Sequence, residues 1–477
     1  MSDCCSHKSE SKKLHLVIVG GGSAAFSAAI KANEFGAKVT IINDGLPIGG
    51  TCVNVGCVPS KTLIRAAEVQ HRALRHHFKG ITSDSKVTDF KALFQQKKEL
   101  VEGLRQAKYL DVVADLPDFQ LIEGHALFTG PDTIVVNGQK IKADRILIAT
   151  GATSYIPPVP GLEESGYLTN VSAFELTELP KSMIVLGGRY IALECAQMFA
   201  RLGTKVTILQ RSSRILPMES EDLTDELTRY FIDEGIDVVT GVSLEKVSKT
   251  DGKVFVKAKV DGHDQSFEAE HVLVTTGRTP NTKNMGLENI GIQLDDKGFI
   301  KVNDQLQTSA KNVYAAGDVI GKPMFVYTAA YEGALAAENA INNASRERNY
   351  TALPWVIFTD PQVAGVGLDE QQALKQGMDV DISKLPLSHV PRSIAARDTR
   401  GFIKLIRDKE TDKLVGARIL APEGSELLME VSLAIRHGIK VKEIVSAFHP
   451  YLTLSEGIKL AAITFGKDVS KLSCCAS

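Results

Sequence analysis

The feature that most restricts how this chain folds is a unit written twice. An apolar run, Leu14 to Val19, leads into Gly20-Gly21-Gly22-Ser23-Ala24-Ala25, then into a helical run and a second apolar run, Lys38 to Ile42. The same order returns without a gap at Gly187. Ala25 answers to Ala192, and Gly36-Ala37-Lys38-Val39-Thr40 answers to Gly203-Thr204-Lys205-Val206-Thr207. A strand, a G-x-G-x-x-A turn and a helix make a dinucleotide seat. Gly20 and Gly22 allow a tight turn and close backbone approach, and the helix N-terminus faces a pyrophosphate. Two seats imply two dinucleotides in two Rossmann-like domains, and 477 residues leave room for more than these.

The seats differ where the second strand ends. The first ends at Asn43, followed by Asp44; the second ends at Gln210, with Arg211 and Arg214 close behind. A 2′-phosphate needs positive charge and no facing acid, so the second seat is expected to prefer NADPH, the plain alternative being solvated arginines. Arg189 replaces a glycine of the second turn. It either contacts a phosphate or weakens the seat.

Behind the first seat comes GGTCVNVGCVPSK, Gly49 to Lys61, with Cys52 and Cys57. Pro59 favours a nearby helix start. A helix N-terminus and a cation such as Lys61 would lower a thiol pKa, and two thiols in this arrangement can close a reversible disulfide. Alone, the pair fits inert buried cysteines equally well. This segment, set after a dinucleotide turn, resembles the redox-active stretch of the flavin-dependent pyridine nucleotide–disulfide oxidoreductases. Its CVPSK ending is most similar to the mercuric reductase branch.

The resemblance runs from about Leu14 to the end of the chain and carries a set of expectations. The implied fold is α/β and glutathione-reductase-like: two Rossmann-like domains followed by a C-terminal α+β dimerisation domain. The division expected is a tail 1–13, an FAD domain 14–152, an NADPH domain 153–278, a central domain 279–349 completing the FAD site, and a dimerisation domain 350–477. FAD is expected against Gly20, Gly22, Ala25, Asn43, Gly45, Thr51, Lys61, Ala126, Asp318 and Val326, although the family usually has an acid where Asn43 stands. Asp318, in VYAAGDV, is suited to accept hydrogen bonds from ribityl hydroxyls, or else is a helix cap. NADPH is expected against Gly187, Ala192, Arg211, Arg214 and Gly277. By resemblance Lys61 pairs with Glu194 beside the flavin, where a cation stabilises negative charge on the reduced ring. Cys195, next to it, reads as a small core residue.

The carboxyl end bears on the substrate. Disulfide reductases of the family carry His-Pro-Thr with a glutamate five residues after the histidine; here that place is Leu454 and the acid is Glu456. This spacing disfavours a His449–Glu456 dyad. Pro450-Tyr451-Leu452-Thr453 instead resembles mercuric reductase, whose metal-site tyrosines match Tyr109 and Tyr451; both also suit simple packing. Cys474 and Cys475 near the end of the chain, with Cys52 and Cys57, are the expected Hg(II) ligands, because a soft, linear-coordinating cation prefers thiolates and passes between pairs by exchange. The tail pair is expected to reach the partner subunit's dithiol in a homodimer. Cys4 and Cys5, with His7, are a further soft-metal candidate or an incidental tail.

Composition excludes several classes. A net charge of −2 argues against nucleic acid or an anionic membrane as partner. No apolar run reaches spanning length and no signal-like start appears, so a cytoplasmic protein is expected. The close pairing of the cysteines reads as redox or metal chemistry in a reducing compartment. The expected activity is NADPH-dependent reduction of Hg(II) to Hg(0) through FAD. The rivals are a large thioredoxin reductase and a non-catalytic soft-metal sequestrant, the latter opposed by the two nucleotide seats.

Overall fold

The computed structural model describes residues 13–469; Cys4, Cys5, Cys474 and Cys475, and the expectations attached to them, lie outside the described residues. The chain divides into two compact units. The first takes Met1–Pro59, Gln96–Tyr155 and Gly277–Asn349, and the second Ser60–Gln95, Ile156–Thr276 and Tyr350–Ser477. Among the described residues no helix is long and apolar enough to cross a membrane.

The first unit is built on a parallel sheet in the order Val313–Ala315, Arg145–Ile148, His15–Val19, Lys38–Asn43, Phe119–Glu123. Its central strands His15–Val19, Lys38–Asn43 and Arg145–Ile148 are mostly apolar and buried along their middles because both faces are covered, whereas the edge strand Phe119–Glu123 leaves Gln120 and Glu123 exposed. Leu16, Ile18, Val39, Ile41 and Leu147 face the alanine-rich helix Ser23–Glu34 and the helix Val326–Asn342. Their alternates Val17, Val19, Ile42, Ile146 and Ile148 pack with Phe128, Ile134 and Val136 of a small antiparallel sheet.

The second unit repeats the plan. Its parallel sheet runs Asp237–Val239, Lys205–Leu209, Ser182–Leu186, His271–Val274, with the helix Tyr190–Leu202 on one face and an antiparallel three-stranded sheet on the other. The duplication extends to single bonds. Gly20 N–H donates to Ile42 O, as Gly187 N–H donates to Leu209 O. The two glycines have φ of +121° and +120°, and a Cβ on either would strike the carbonyl of the next strand, at Ala149 or Thr275. From Tyr350 onward the same unit forms a five-stranded antiparallel sheet carrying the helices Leu428–Arg436 and Glu456–Ile463.

The helix start expected near Pro59 falls at Cys57, and the helix runs to Leu74. Pro59 is tolerated there because first-turn N–H groups have no partner within the helix. A second helix, Phe90–Arg105, changes at its end to a π turn, Gln106–Leu110.

A buried ionic cluster stiffens the second unit around Arg201, at the end of Tyr190–Leu202. Its guanidinium donates to Glu234 at 2.6 and 2.8 Å and to Asp360 Oδ2 at 2.9 Å, and Arg400 reaches Asp360 Oδ1 at 3.0 Å. His71 borders this cluster, 3.8 Å from Glu234. Burial, reinforced by Arg201, lowers its pKa from 6.5 to about 4. The folded histidine thus refuses a proton that the unfolded one accepts. Stability is unaffected by this group above about pH 6.5 and falls as pH drops from 6.5 toward 4. His71→Gln is expected to flatten the plot of Tm against pH across that window; an unchanged slope would discount the group.

Candidate active site

The first unit holds the thiols. After the glycine turn the chain passes through Gly49, in the left-handed region, into the short helix Gly50–Val55, and breaks at Gly56 before Cys57. Gly50 backs directly on Gly22, where an added Cβ would come within 2.7 Å of the Gly22 Cα. The dithiol loop therefore lies against the nucleotide turn itself. Cys52 and Cys57 are both partly exposed and no disulfide joins them.

Two side chains brace this loop. Asn54, between the cysteines, donates to the carbonyls of Pro47, Ile48 and Gly50 at 2.8, 3.0 and 2.9 Å, and its Oδ1 accepts from Arg105 at 3.0 Å. Tyr109 sits edge-on to Phe26, 4.9 Å between centroids, with its ring beside Gly49. Burial raises the Tyr109 pKa, Cys52 and Cys57 raise it further, and a hydrogen bond with Ser23 opposes them. The π turn makes this possible. An unbroken α-helix would rotate Val113 about 80° away from Arg105. One extra residue in the turn takes up about 100° and restores the face. Arg105 can then hold Asn54, Tyr109 face the thiols, and Val113 enter the core.

The first seat fits FAD on several counts. The helix Ser23–Glu34 starts at Gly22 with no side-chain cap, so its first N–H groups are available to a pyrophosphate. Ala126 is buried, Gly45 is open, Thr51 stands in the dithiol helix and Val326 opens the helix Val326–Asn342. Asp318 is pushed up by burial, only partly opposed by Arg278 at 3.8 Å. Arg278 is pushed down by the same burial. An acid held so loosely suits hydroxyl donors.

The second unit carries the other seat and a cation. The helix Tyr190–Leu202 also starts without a side-chain cap, at the exposed Arg189. Gln210 is buried; Arg211 is exposed and Arg214 has only Glu221, 3.9 Å away, as an ionic partner among the described residues. Gly277, an expected NADPH contact, lies at the start of a segment of the first unit. Lys61 Nζ is 2.7 Å from Glu194 Oε2, while Glu194 Oε1 accepts from the Phe358 N–H at 3.0 Å. The ammonium also lies over the Phe358 ring, 4.4 Å from its centroid. Cys195 is fully buried, and burial pushes its pKa up to about 12, as suits a core residue.

The histidine question has an answer that the local motif could not give. Glu456 does not meet His449; its carboxylate accepts from the Leu452 N–H at 3.2 Å. His449 Nε2 instead lies 2.8 Å from Glu430 Oε1, on the helix Leu428–Arg436. Tyr451, next in the loop, is half-exposed. Besides Glu430, sequence reasoning missed Asn54, Arg105 and Phe358. Only Asn54, lying between the cysteines, carried a local signal.

The family model described as pyridine nucleotide-disulphide oxidoreductase matches residues 14–333, and that of its dimerisation domain matches 353–462. The chain belongs to the pyridine nucleotide-disulphide oxidoreductases. Among curated members of that family, mercuric reductase from Staphylococcus aureus is 45% identical over 97% of this chain and 84% of its own length. Mercuric reductase from Streptomyces lividans is 41% identical over 97% of this chain and 98% of its own. Among solved structures, the Cu(II) complex of the HOCl-induced flavoprotein disulfide reductase RclA from Escherichia coli superposes with a TM-score of 0.86 at 30% identity, covering 95% of this chain and all of that one. LpdA from Mycobacterium tuberculosis gives 0.84 at 28% identity over the same shares. Membership accounts for the two seats, the dithiol and the antiparallel C-terminal sheet together, and it implies FAD and NADPH as the dinucleotides.

Proposed function

We propose that this oxidoreductase reduces Hg(II) to Hg(0) at the expense of NADPH. The observation that carries the reading is the thiol pair Cys52 and Cys57 beside Tyr109, in a chain 45% identical to a mercuric reductase. The reaction balances as NADPH plus Hg(II) giving NADP⁺, a proton and Hg(0). Bound FAD supplies the two-electron link between NADPH and the dithiol side. Cys57 is assigned the thiolate on the flavin side and Cys52 the exchanging thiol, while Lys61, fixed by Glu194, offers positive charge to the reduced ring. Tyr109 and Tyr451 are assigned to the metal's surroundings. Cys474 and Cys475 of the partner subunit receive Hg(II) from thiol complexes and pass it to Cys52 and Cys57. Reduced thiols and NADPH suit a cytoplasmic homodimer.

The test is NADPH oxidation by flavin-loaded protein with Hg(II) in excess small thiol, trapping volatile mercury. Oxidation that requires Hg(II) and yields Hg(0) supports the reading. Disulfide reduction is the second reading, favoured by the His449–Glu430 pair. Silence with Hg(II) but turnover on a disulfide, lost in His449→Ala, would put it first. For the nucleotide, Arg211→Ala combined with Arg214→Ala is expected to raise the KM for NADPH about 10- to 100-fold while leaving that for NADH nearly unchanged, as loss of one or two charge-assisted phosphate contacts requires. Equal effects on both nucleotides would remove the 2′-phosphate assignment.

A further inference from the structure

Asn43 closes its strand where the family usually has a carboxylate, and the sheet shows what stands in for it. Asn43 pairs in register with Glu123, the last residue of the neighbouring strand. Its Nδ2 donates to Glu123 Oε2 at 2.9 Å and to Leu46 O at 3.0 Å. Asn43 is buried and its Oδ1 abuts Gly21, where an added Cβ would meet it at 2.3 Å. The amide is thus packed against the nucleotide turn with both donors engaged. Glu123 is exposed, and among the described residues its second carboxylate oxygen makes no hydrogen bond. The other nearby acid, Asp44, is committed elsewhere. Its Oδ2 lies 2.8 Å from His125 Nδ1, whose Nε2 lies 2.8 Å from Asn284 O. These contacts raise the His125 pKa, that with Asn284 most.

The second seat lacks this arrangement. Gly188 backs on Gln210 as Gly21 backs on Asn43, but the neighbouring strand Asp237–Val239 ends without an acid, and Arg211 and Arg214 follow Gln210. We infer that Glu123, oriented by Asn43, is the carboxylate that holds the adenosine ribose of FAD in the first seat. In effect the acid has moved one strand across the sheet. A carboxylate is an acceptor only, suited to ribose hydroxyls, and it repels a 2′-phosphate. The two strand ends therefore sort the two dinucleotides by charge. The inference rests on FAD occupying the first seat.

The test is titration of flavin-stripped protein with FAD, followed by flavin fluorescence, alongside FAD whose adenosine ribose lacks its 2′-hydroxyl. Glu123→Ala is expected to weaken FAD about 10- to 100-fold, as for loss of charge-assisted hydrogen bonds. The deoxy analogue is expected to bind wild type and variant within about threefold of each other, because variant and analogue remove the same interaction. Adding Asn43→Glu to Glu123→Ala returns the acid to its usual strand and is expected to recover most of the affinity for FAD. Wild-type affinity in Glu123→Ala overturns the inference, as does a loss of equal size for FAD and the analogue, which marks a merely structural role. Wild-type protein that binds no FAD would overturn the occupancy of the first seat, and the inference with it.

Discussion

Cys57→Ala is expected to remove Hg(II)-dependent NADPH oxidation, by more than about a thousandfold, while leaving FAD bound and the fold intact. Groups that act as one unit are lost together when either is removed, and a lone Cys52 offers the ion a single thiolate where two are needed. Cys57 also opens the helix Cys57–Leu74, whose N-terminal dipole favours its thiolate. Alanine keeps the helix and removes only the sulfur. Two readouts separate cause from collateral damage. Flavin content should match wild type, and a small artificial acceptor that takes electrons from flavin directly should still be reduced. Cys52→Ala should show the same loss. Appreciable Hg(0) from Cys57→Ala would mean that the thiols in this loop are not the reducing site, and the proposed function would have to be abandoned with them.

The largest effect on stability is expected at Arg201→Met. The replacement keeps much of the volume but strands the largely covered Glu234 and Asp360 carboxylates beside one another without their central cation. Breaking a buried pair from one side costs about 3–5 kcal/mol. Arg400 remains on Asp360 at 3.0 Å and moderates the loss without reaching both oxygens of Glu234. The consequence reaches the site, because Arg201 lies on the same helix as Glu194, the partner of Lys61. The denaturant midpoint, followed by far-UV circular dichroism, is the direct measure. A loss under about 1 kcal/mol would show that water satisfies the two carboxylates and that the cluster is not the brace described.

What could be read in the sequence was what the backbone dictates locally. Gly20 and Gly187 announce themselves because their conformation and the carbonyl behind them admit no side chain, and two copies in the same order define both sheets. The dithiol was legible through resemblance and through its place just after the nucleotide turn, where Gly50 backs on Gly22; its residues alone fitted inert cysteines equally well. Partners supplied by distant strands and helices were not legible. Asn43 looked like a lost acid until the register placed Glu123 beside it. His449 looked like a histidine without its glutamate until the helix Leu428–Arg436 brought Glu430 to it. Lys61 and Glu194 were paired by resemblance alone; the Phe358 N–H and ring that complete their setting had no sequence signature.

The π turn at Gln106–Leu110 has a further consequence, for insertions and deletions. Most surface helices tolerate exchange of one residue for another, and the exposed Gln106, Ala107 and Lys108 should accept many replacements. The spacing from Arg105 to Val113 has no such latitude. Removing any one of these three exposed residues would let the segment relax into ordinary helix and force a choice between Tyr109 at the thiols and Val113 in the core. In this stretch the number of residues, more than their kind, is under constraint.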